Sequence, residues 1–292
     1  MKHILRLLRT KEWIKNLFVF VPLIFSRQLF AVERIEDAAL AFFAFCFLSS
    51  SVYILNDIRD CESDKRHPKK KNRPIASGAV SKTTAAVIGV ISLLLAAALG
   101  AQCGGKVWLA LAAYAAINVG YSFSWKHIVL VDVFCIASGF MLRVMAGAWA
   151  INVEISQWLI LCTLFLSLLL AITKRRSELH LTTESGGDAG TRSVLSKYSF
   201  SITEQMTTIT ASGAVISYAL YTVSDRTVKM FGTENLVYTT IFVLYGVFRY
   251  LYLEHKESVG ENPTDVVSSD VPLIIDLMLW VASSAVIIYG RL

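Results

Sequence analysis

Long apolar stretches separated by short polar ones run the length of the chain. Nine of them approach the length of a membrane-crossing helix, at roughly 13–30, 38–55, 84–102, 107–123, 130–150, 156–173, 201–222, 235–253 and 272–290. Crossing about 30 Å of hydrocarbon takes about 20 mostly apolar residues in a helix. Lipid offers no water to the backbone, so the runs predict helices that satisfy their own N–H and C=O groups. Strand-like residues at 19–25 do not change that reading. The pattern predicts an all-α polytopic membrane protein of nine transmembrane helices, with 1–292 as a single transmembrane domain. The N-terminus is basic and then apolar, as in a signal peptide. It lacks a small-x-small cleavage site, and the apolar run continues to Phe30, so it reads as a retained first helix.

Composition agrees. Of 292 residues, 55% are hydrophobic and 17% charged, with mean hydropathy +0.55, against roughly 25% charged in typical globular chains. This argues against a disordered chain, a secreted disulfide scaffold and a water-soluble enzyme with one ordinary core. The five cysteines, Cys46, Cys61, Cys103, Cys135 and Cys162, show no CxxC or Cys/His metal spacing and read as inert thiols.

The net charge of +6 has a direction. With the N-terminus in the cytoplasm, twenty of the 28 Lys and Arg residues fall on the cytoplasmic side and six on the other, with Lys15 and Arg143 inside the runs. This is the asymmetry of the positive-inside rule. The long connections, near 56–83, 174–200 and 254–271, also fall on the cytoplasmic side, and long ordered loops are more often functional than short ones. Chemistry is therefore expected at that face.

The richest stretch runs from Asn56 to Pro74 and contains Asp57, Asp60 and Asp64 at i, i+3 and i+7. On a helix continuing from the second run, the three carboxylates share one face. Such hard oxygen ligands suit Mg2+, which commonly bridges carboxylates and substrate phosphates. His67 and Pro68 end the helical pattern, and Arg73 follows, able to grip phosphate oxygens. A solvated mixed-charge loop, or attraction to anionic lipid, accounts for the lysines here but not for the aspartates.

Other ionisable positions stand inside the runs, where such residues are functional candidates. Lys15 and Asn16 lie early in the first, and Lys15 can also snorkel to the interface. Arg143 lies halfway along the fifth, flanked at spacings of four by Gly139 and Gly147. It is expected to bind phosphate or to form an internal ion pair. Lys126 and Asp132 form a local pair or both face the substrate. Arg249 and Asp276 read as interface anchors or structural pairs. None of His3, His67, His127, His180 and His255 shows a metal spacing. Aromatic residues near the ends of runs, such as Trp13, Trp108, Trp158 and Tyr221, suit interfacial belts. The glycine-rich stretch 182–191 reads as a flexible loop or lid and has no nucleotide-cradle pattern.

The Asn56–Asp64 motif, with the nine runs, resembles the first aspartate-rich motif of the UbiA-type intramembrane prenyltransferase superfamily. That likeness implies helices around a central cavity and a diphosphate held by Mg2+. Most members carry a second aspartate-rich motif near the end of the sixth helix, where this chain has Lys174-Arg175-Arg176-Ser177-Glu178. Cations there disfavour a second metal and suit an extra phosphate. The chain is similar to the decaprenyl-phosphate phosphoribosyltransferase branch. Arg9-Thr10-Lys11-Glu12-Trp13-Ile14-Lys15-Asn16, Arg73-Pro74-Ile75-Ala76-Ser77-Gly78, Tyr121-Ser122, Lys126, Asp132 and Ser138-Gly139-Phe140 carry the likeness, with Glu261-Asn262-Pro263 matching loosely. Thr10 stands where the branch commonly has Pro.

The resemblance implies transfer of a phosphoribosyl group from 5-phosphoribosyl 1-diphosphate to a polyprenyl phosphate, for cell-envelope glycan precursors. It implies Asp57, Asp60 and Asp64 as catalytic metal ligands for Mg2+, helped by Asn56. Lys15, Arg73, Lys126, Arg143, Lys174 and Arg175 are the implied phosphate-binding residues. Asn16, Asn56, Tyr121, Asp132 and Glu178 bind or orient substrate. The implied setting is a bacterial-type inner membrane, multi-pass, with the active site facing the cytoplasm. No nucleic-acid partner is expected, and a homo-oligomer stays open. An aromatic or haem prenyltransferase is the first alternative. A non-catalytic polyprenyl-phosphate transporter is the second, though no clear internal repeat supports it.

Overall fold

The computed structural model describes residues 2–66, 70–184, 197–257, 266 and 269–290. His67, residues 185–191 of the glycine-rich stretch and the 261–265 motif lie outside the described residues. Every regular element among the described residues is helical. The chain forms two compact units.

The first unit is built from residues 2–23 and Leu29–Glu154. It opens with α1 (Lys2–Leu7), a 3-10 segment (Thr10–Phe20) and one short turn, α2 (Val21–Ile24). The first apolar run is therefore not a regular α-helix. Its aromatic and β-branched residues are weak helix formers, and α7 (Val131–Ala150) presses on it. A Cβ built on Gly147 would lie 1.9 Å from the Val19 carbonyl oxygen, so glycine is what allows this approach. A 3-10 stretch of 11 residues is unusual, since such runs rarely exceed about four residues.

Around this segment stand α3 (Val32–Arg59), α4 (Cys61–Arg66), α5 (Lys82–Gln102) and α6 (Gly105–Phe123). The central member is α3, which packs on α5, α6, α7 and the 3-10 segment. Ala41, Ala44, Phe45, Leu48 and Val52 line its inner face against Val107, Ala110, Leu111, Ala146 and Ala150. Small residues let neighbouring backbones come close, the common packing mode of membrane helices.

The second unit takes Ile24–Gln28 and the described residues after Ile155. It contains α8 (Gln157–Glu184), α9 (Phe200–Val223), α10 (Asp225–Phe231), a 3-10 turn (Asn235–Thr239), α11 (Thr240–Glu257) and α12 (Val271–Tyr289). Leu169, Ala211 and Val247 tie α8, α9 and α11 into one core. Side-chain oxygens cap the starts of three of these helices: Ser199 accepts from the Ile202 N–H of α9, Ser224 from the Thr227 N–H of α10, and Asp270 from the Leu273 N–H of α12.

Outward faces are apolar. Leu94, Leu109, Ile209 and Val286 are each more than half exposed, as expected where lipid is the solvent. Among the described residues, six helices are long and apolar enough to cross a membrane: Val32–Arg59, Lys82–Gln102, Val131–Ala150, Gln157–His180, Asn235–His255 and Val271–Tyr289. The runs at 107–123 and 201–222 are helical but fall outside that group, and α9 is rich in threonine and serine. All five cysteines are free thiols.

Arg249 proves to be half of a structural pair. Its Nε and Nη2 donate to the two Asp270 carboxylate oxygens at 3.1 and 2.8 Å. Asp276 is buried against Gly246, where a Cβ would lie 3.0 Å from its Oδ2.

Gly147→Ala is expected to destabilise the protein by about 1–3 kcal/mol, seen as a lower thermal midpoint in detergent. An unchanged midpoint would contradict the close approach. The Arg249 hydrogen bonds hold the Asp270 carboxyl below its ordinary pKa. The pair therefore contributes stability above the ordinary carboxylate range and loses it as pH falls through the depressed value. Midpoints of wild type and Arg249→Ala should differ at neutral pH and converge below about pH 4; a gap that persists in acid would refute the linkage.

Candidate active site

The acidic motif sits where α3 gives way to α4. Asp60 is the junction. Its N–H donates to the Asn56 carbonyl at 2.8 Å, and its own carbonyl accepts from the Asp64 N–H at 2.9 Å and the Ser63 hydroxyl at 2.8 Å. The helix breaks there, so the three aspartates do not form one stripe on a continuous helix. Asp57 and Asp64 turn inward and are almost fully buried, while Asp60 is partly exposed.

Two buried carboxylates near one another need a cation. Arg73 supplies it. Its Nη1 lies 2.6 Å from Asp64 Oδ2 and 3.2 Å from Asp57 Oδ1, bridging the two. Arg9 adds a second guanidinium, with Nη2 2.5 Å from the same Asp57 oxygen. Asp60 is matched separately by Lys126, at 3.5 Å. Lys126 thus pairs across to α3 rather than with nearby Asp132, which is fully buried at the start of α7. Glu62, on the outer side of α4, faces none of this. Lys65 hydrogen-bonds it and holds its carboxyl below its ordinary pKa.

Apolar packing aims both arginines. Leu7, Ile54, Cys61, Ile75 and Ala85 form a buried cluster beneath the loop after α4. The Ser77 N–H donates to the Arg73 carbonyl and the Val80 N–H to the Pro74 carbonyl, closing a tight turn that uses the positive φ of Gly78. Arg73 projects from that turn. On the other side, Ser50 Oγ donates to the Leu8 carbonyl at 2.7 Å and accepts from Trp13 Nε1 at 3.0 Å. Arg9 is left-handed, with φ 50°, and its guanidinium stacks 4.8 Å above the Tyr53 ring. Arg59 closes the end of α6. It donates to the Ser122 and Phe123 carbonyls, which the helix itself leaves unpaired.

Arg143 makes its contacts within the chain to neutral partners. Its Nε donates to Asn16 Oδ1 at 2.7 Å, Nη1 to the Gly139 carbonyl at 2.8 Å and Nη2 to the Tyr114 hydroxyl at 3.1 Å. Among the described residues it meets no carboxylate. Asn16 continues the network by donating to Cys46 Sγ and Ser49 Oγ. Lys15, on the neighbouring side of the 3-10 segment, pairs with Glu12 at 2.5 Å. Asn56 and Tyr121 are partly buried.

The basic segment lies in the second unit, near the end of α8. Lys174 is half-buried, while Arg175 and Arg176 are buried. Arg175 Nη1 donates to Glu178, one turn on. Arg176 meets Glu254 at 3.6 Å and His255 Nε2 at 3.0 Å. Glu178 thereby holds the Arg175 guanidinium.

The sequence profile of the UbiA prenyltransferase family matches residues 19–263. The chain belongs to the UbiA prenyltransferase family. Decaprenyl-phosphate phosphoribosyltransferase of Corynebacterium glutamicum is 33% identical over 98% of this chain and 86% of its own length. The enzyme of that name from Mycolicibacterium smegmatis is 31% identical over 98% of this chain and 92% of its own. A UbiA homologue from Archaeoglobus fulgidus bound to GPP and Mg2+ shares the fold, with a TM-score of 0.71 at 21% identity, covering 98% of this chain and 99% of that one. Its DMAPP and Mg2+ complex gives 0.72 at 21% identity, covering 99% of both chains.

For a UbiA-family chain, a divalent metal at the first acidic motif is the natural question. The donor chemistry fits: Asp57 and Asp64 offer hard oxygen atoms within one guanidinium's reach of each other. Among the described residues no three carboxylate, imidazole or thiol groups already converge as a metal centre; Arg73 stands between the two aspartates instead. Sequence reasoning missed Arg9 as a site residue. Its signal was its place in the Arg9–Asn16 motif. Tyr114 was missed as well, because a tyrosine in an apolar run carries no sign of its partner.

Arg143→Met leaves Asn16, Gly139 and Tyr114 without their shared donor. We expect a loss of about 2–4 kcal/mol, read as a lowered thermal midpoint, with Arg143→Lys intermediate. Equal midpoints for Arg143→Met and wild type would contradict the network.

Proposed function

We propose that the chain is a phosphoribosyltransferase. It transfers a 5-phosphoribosyl group from 5-phosphoribosyl 1-diphosphate to a decaprenyl-type polyprenyl phosphate and releases diphosphate, for cell-envelope glycan precursors. The observation that carries the reading is the pair of charge patterns. One acidic cluster is matched by Arg9, Arg73 and Lys126, and a basic segment of Lys174, Arg175 and Arg176 stands where a second acidic cluster is usual. The relatives named decaprenyl-phosphate phosphoribosyltransferase, matched over nearly the whole chain, support it.

Both substrates are anionic, so cations do most of the work. Asp57 and Asp64, with Asp60 and Asn56, would hold Mg2+, which when bound neutralises charge developing on the leaving diphosphate. Arg73 and Arg9 grip diphosphate oxygens, and Lys126 completes that side. Lys174 and Arg175 hold a phosphate of donor or acceptor, with Glu178 fixing the Arg175 guanidinium. Lys15 serves as a further phosphate contact beside Glu12. Asn16 and Arg143 set the 3-10 segment that carries Lys15, and Tyr121 and Asp132 orient the donor. The acceptor phosphate oxygen attacks the anomeric carbon as the bond to diphosphate breaks. That oxygen is already ionised near neutral pH, so positioning outweighs proton abstraction.

The reading places nine crossings in a bacterial inner membrane, with the N-terminus and the reaction on the cytoplasmic side, supported by the sidedness of Lys and Arg. The decisive experiment gives purified protein labelled phosphoribosyl diphosphate and labelled prenyl diphosphate, each with polyprenyl phosphate and aromatic acceptors. Transfer is expected from the phosphoribosyl donor to polyprenyl phosphate, and transfer only from the prenyl donor would overturn the proposal. Asp57→Ala and Asp64→Ala should each lower turnover about 100-fold or more without loss of expression; wild-type rates in both would remove the metal role.

A further inference from the structure

Arg9 and Arg73 hold the positions from which a metal at Asp57 and Asp64 would be contested. The side chains of Asp57 and Asp64 are 2% and 6% exposed, those of Arg9 and Arg73 23% and 29%. The arginines are thus the more exposed members of the cluster. One Asp57 oxygen accepts from both arginines, and Arg73 also holds Asp64.

The charge count sharpens the point. Two carboxylates and two guanidiniums sum to zero, and Asp60 is balanced on its own by Lys126. A divalent cation added alone leaves the half-buried cluster with two uncompensated positive charges, a costly state away from bulk water. A diphosphate arriving with the metal brings several negative charges and restores the balance. Guanidinium groups bind phosphate and carboxylate with the same forked geometry, so the displaced arginines have a second partner ready.

We propose that Arg9 and Arg73 exchange partners during substrate loading. Without ligand they neutralise Asp57 and Asp64 in place of the metal; when metal and diphosphate enter together they turn from carboxylate to diphosphate oxygens. The inference rests on the reading that Asp57 and Asp64 hold the metal, and adds to it a coupling. The metal alone binds weakly, diphosphate alone binds weakly, and each strengthens the other because one arginine pair cannot serve both acids and phosphates.

Mn2+ serves as the metal probe and inorganic diphosphate as the anion. Free Mn2+ is measured by electron paramagnetic resonance on detergent-purified protein, with the Mn2+ taken up by diphosphate alone measured in protein-free solution and subtracted. Folding of each variant is checked by size exclusion, and two variants, Arg73→Gln and Arg9→Gln, keep the test available if one fails to fold. In wild type, diphosphate should tighten Mn2+ binding about tenfold or more, within the usual range of site-to-site coupling. Arg73→Gln and Arg9→Gln should each bind Mn2+ alone about threefold or more tighter than wild type, with a smaller gain from diphosphate. If a folded arginine variant binds Mn2+ alone no better than wild type, the exchange is wrong while the metal reading stands. If Asp57→Asn binds Mn2+ as wild type does, the metal reading fails and the exchange with it.

Discussion

The bridge from Arg73 to Asp57 and Asp64 is the interaction on which the first unit's site depends. Two carboxylates drawn out of water repel each other and lose their hydration. A cation placed between them offsets both costs. That demand explains the local architecture. The chain breaks at Asp60, which brings Asp64 round toward Asp57. A glycine turn returns the loop so that Arg73 reaches both. The apolar cluster of Leu7, Ile54, Cys61, Ile75 and Ala85 fixes the loop and α1 to the same floor, so Arg9 arrives at the same oxygen.

The unit handles its other buried cation differently. Arg143 is surrounded by dipoles rather than charge: an amide oxygen, a carbonyl and a phenol, with the Phe45, Tyr114 and Phe140 rings around it. Cation–π attraction and oriented dipoles stabilise a guanidinium without neutralising it. The two solutions differ in what they permit. A salt-bridged acid can trade its partner for another cation. A dipole cage holds one geometry, and it fastens the 3-10 segment to α6 and α7.

Much of this was legible in the sequence, and what was not shares one cause. Apolar run length located the helices, since lipid leaves the backbone no other way to bond. The spacing of Asp57, Asp60 and Asp64 marked the acidic motif, and Arg73, singled out beside it, contacts two of its three aspartates. Periodicity assumed a continuous helix, whereas Asp60 breaks it, because local spacing says nothing of where a helix yields to tertiary pull. The first run reads as helix by composition and becomes 3-10, since its geometry is set by Gly147, far along the chain. Partners were the weakest point. Lys126 was read as pairing locally with Asp132 or facing the substrate, and its contact with Asp60 went unforeseen; the neutral companions of Arg143 carry no charge signature. Sequence reports which residues are unusual for their surroundings more readily than which distant residue answers them.

The spans between bonded partners also order the assembly in time. Arg73 lies nine residues after Asp64 and 16 after Asp57, whereas Arg9 is 48 residues from Asp57 and Asn16 is 127 from Arg143. In order of synthesis, the counter-charge of the acidic motif is present in the chain before most later helices. The amino-terminal segment waits for α7 before its polar side chain gains its guanidinium partner. A nascent chain therefore carries a self-neutralised acidic motif and an unfinished first segment. The late-emerging Arg143 supplies the contact that fastens that segment to α6 and α7.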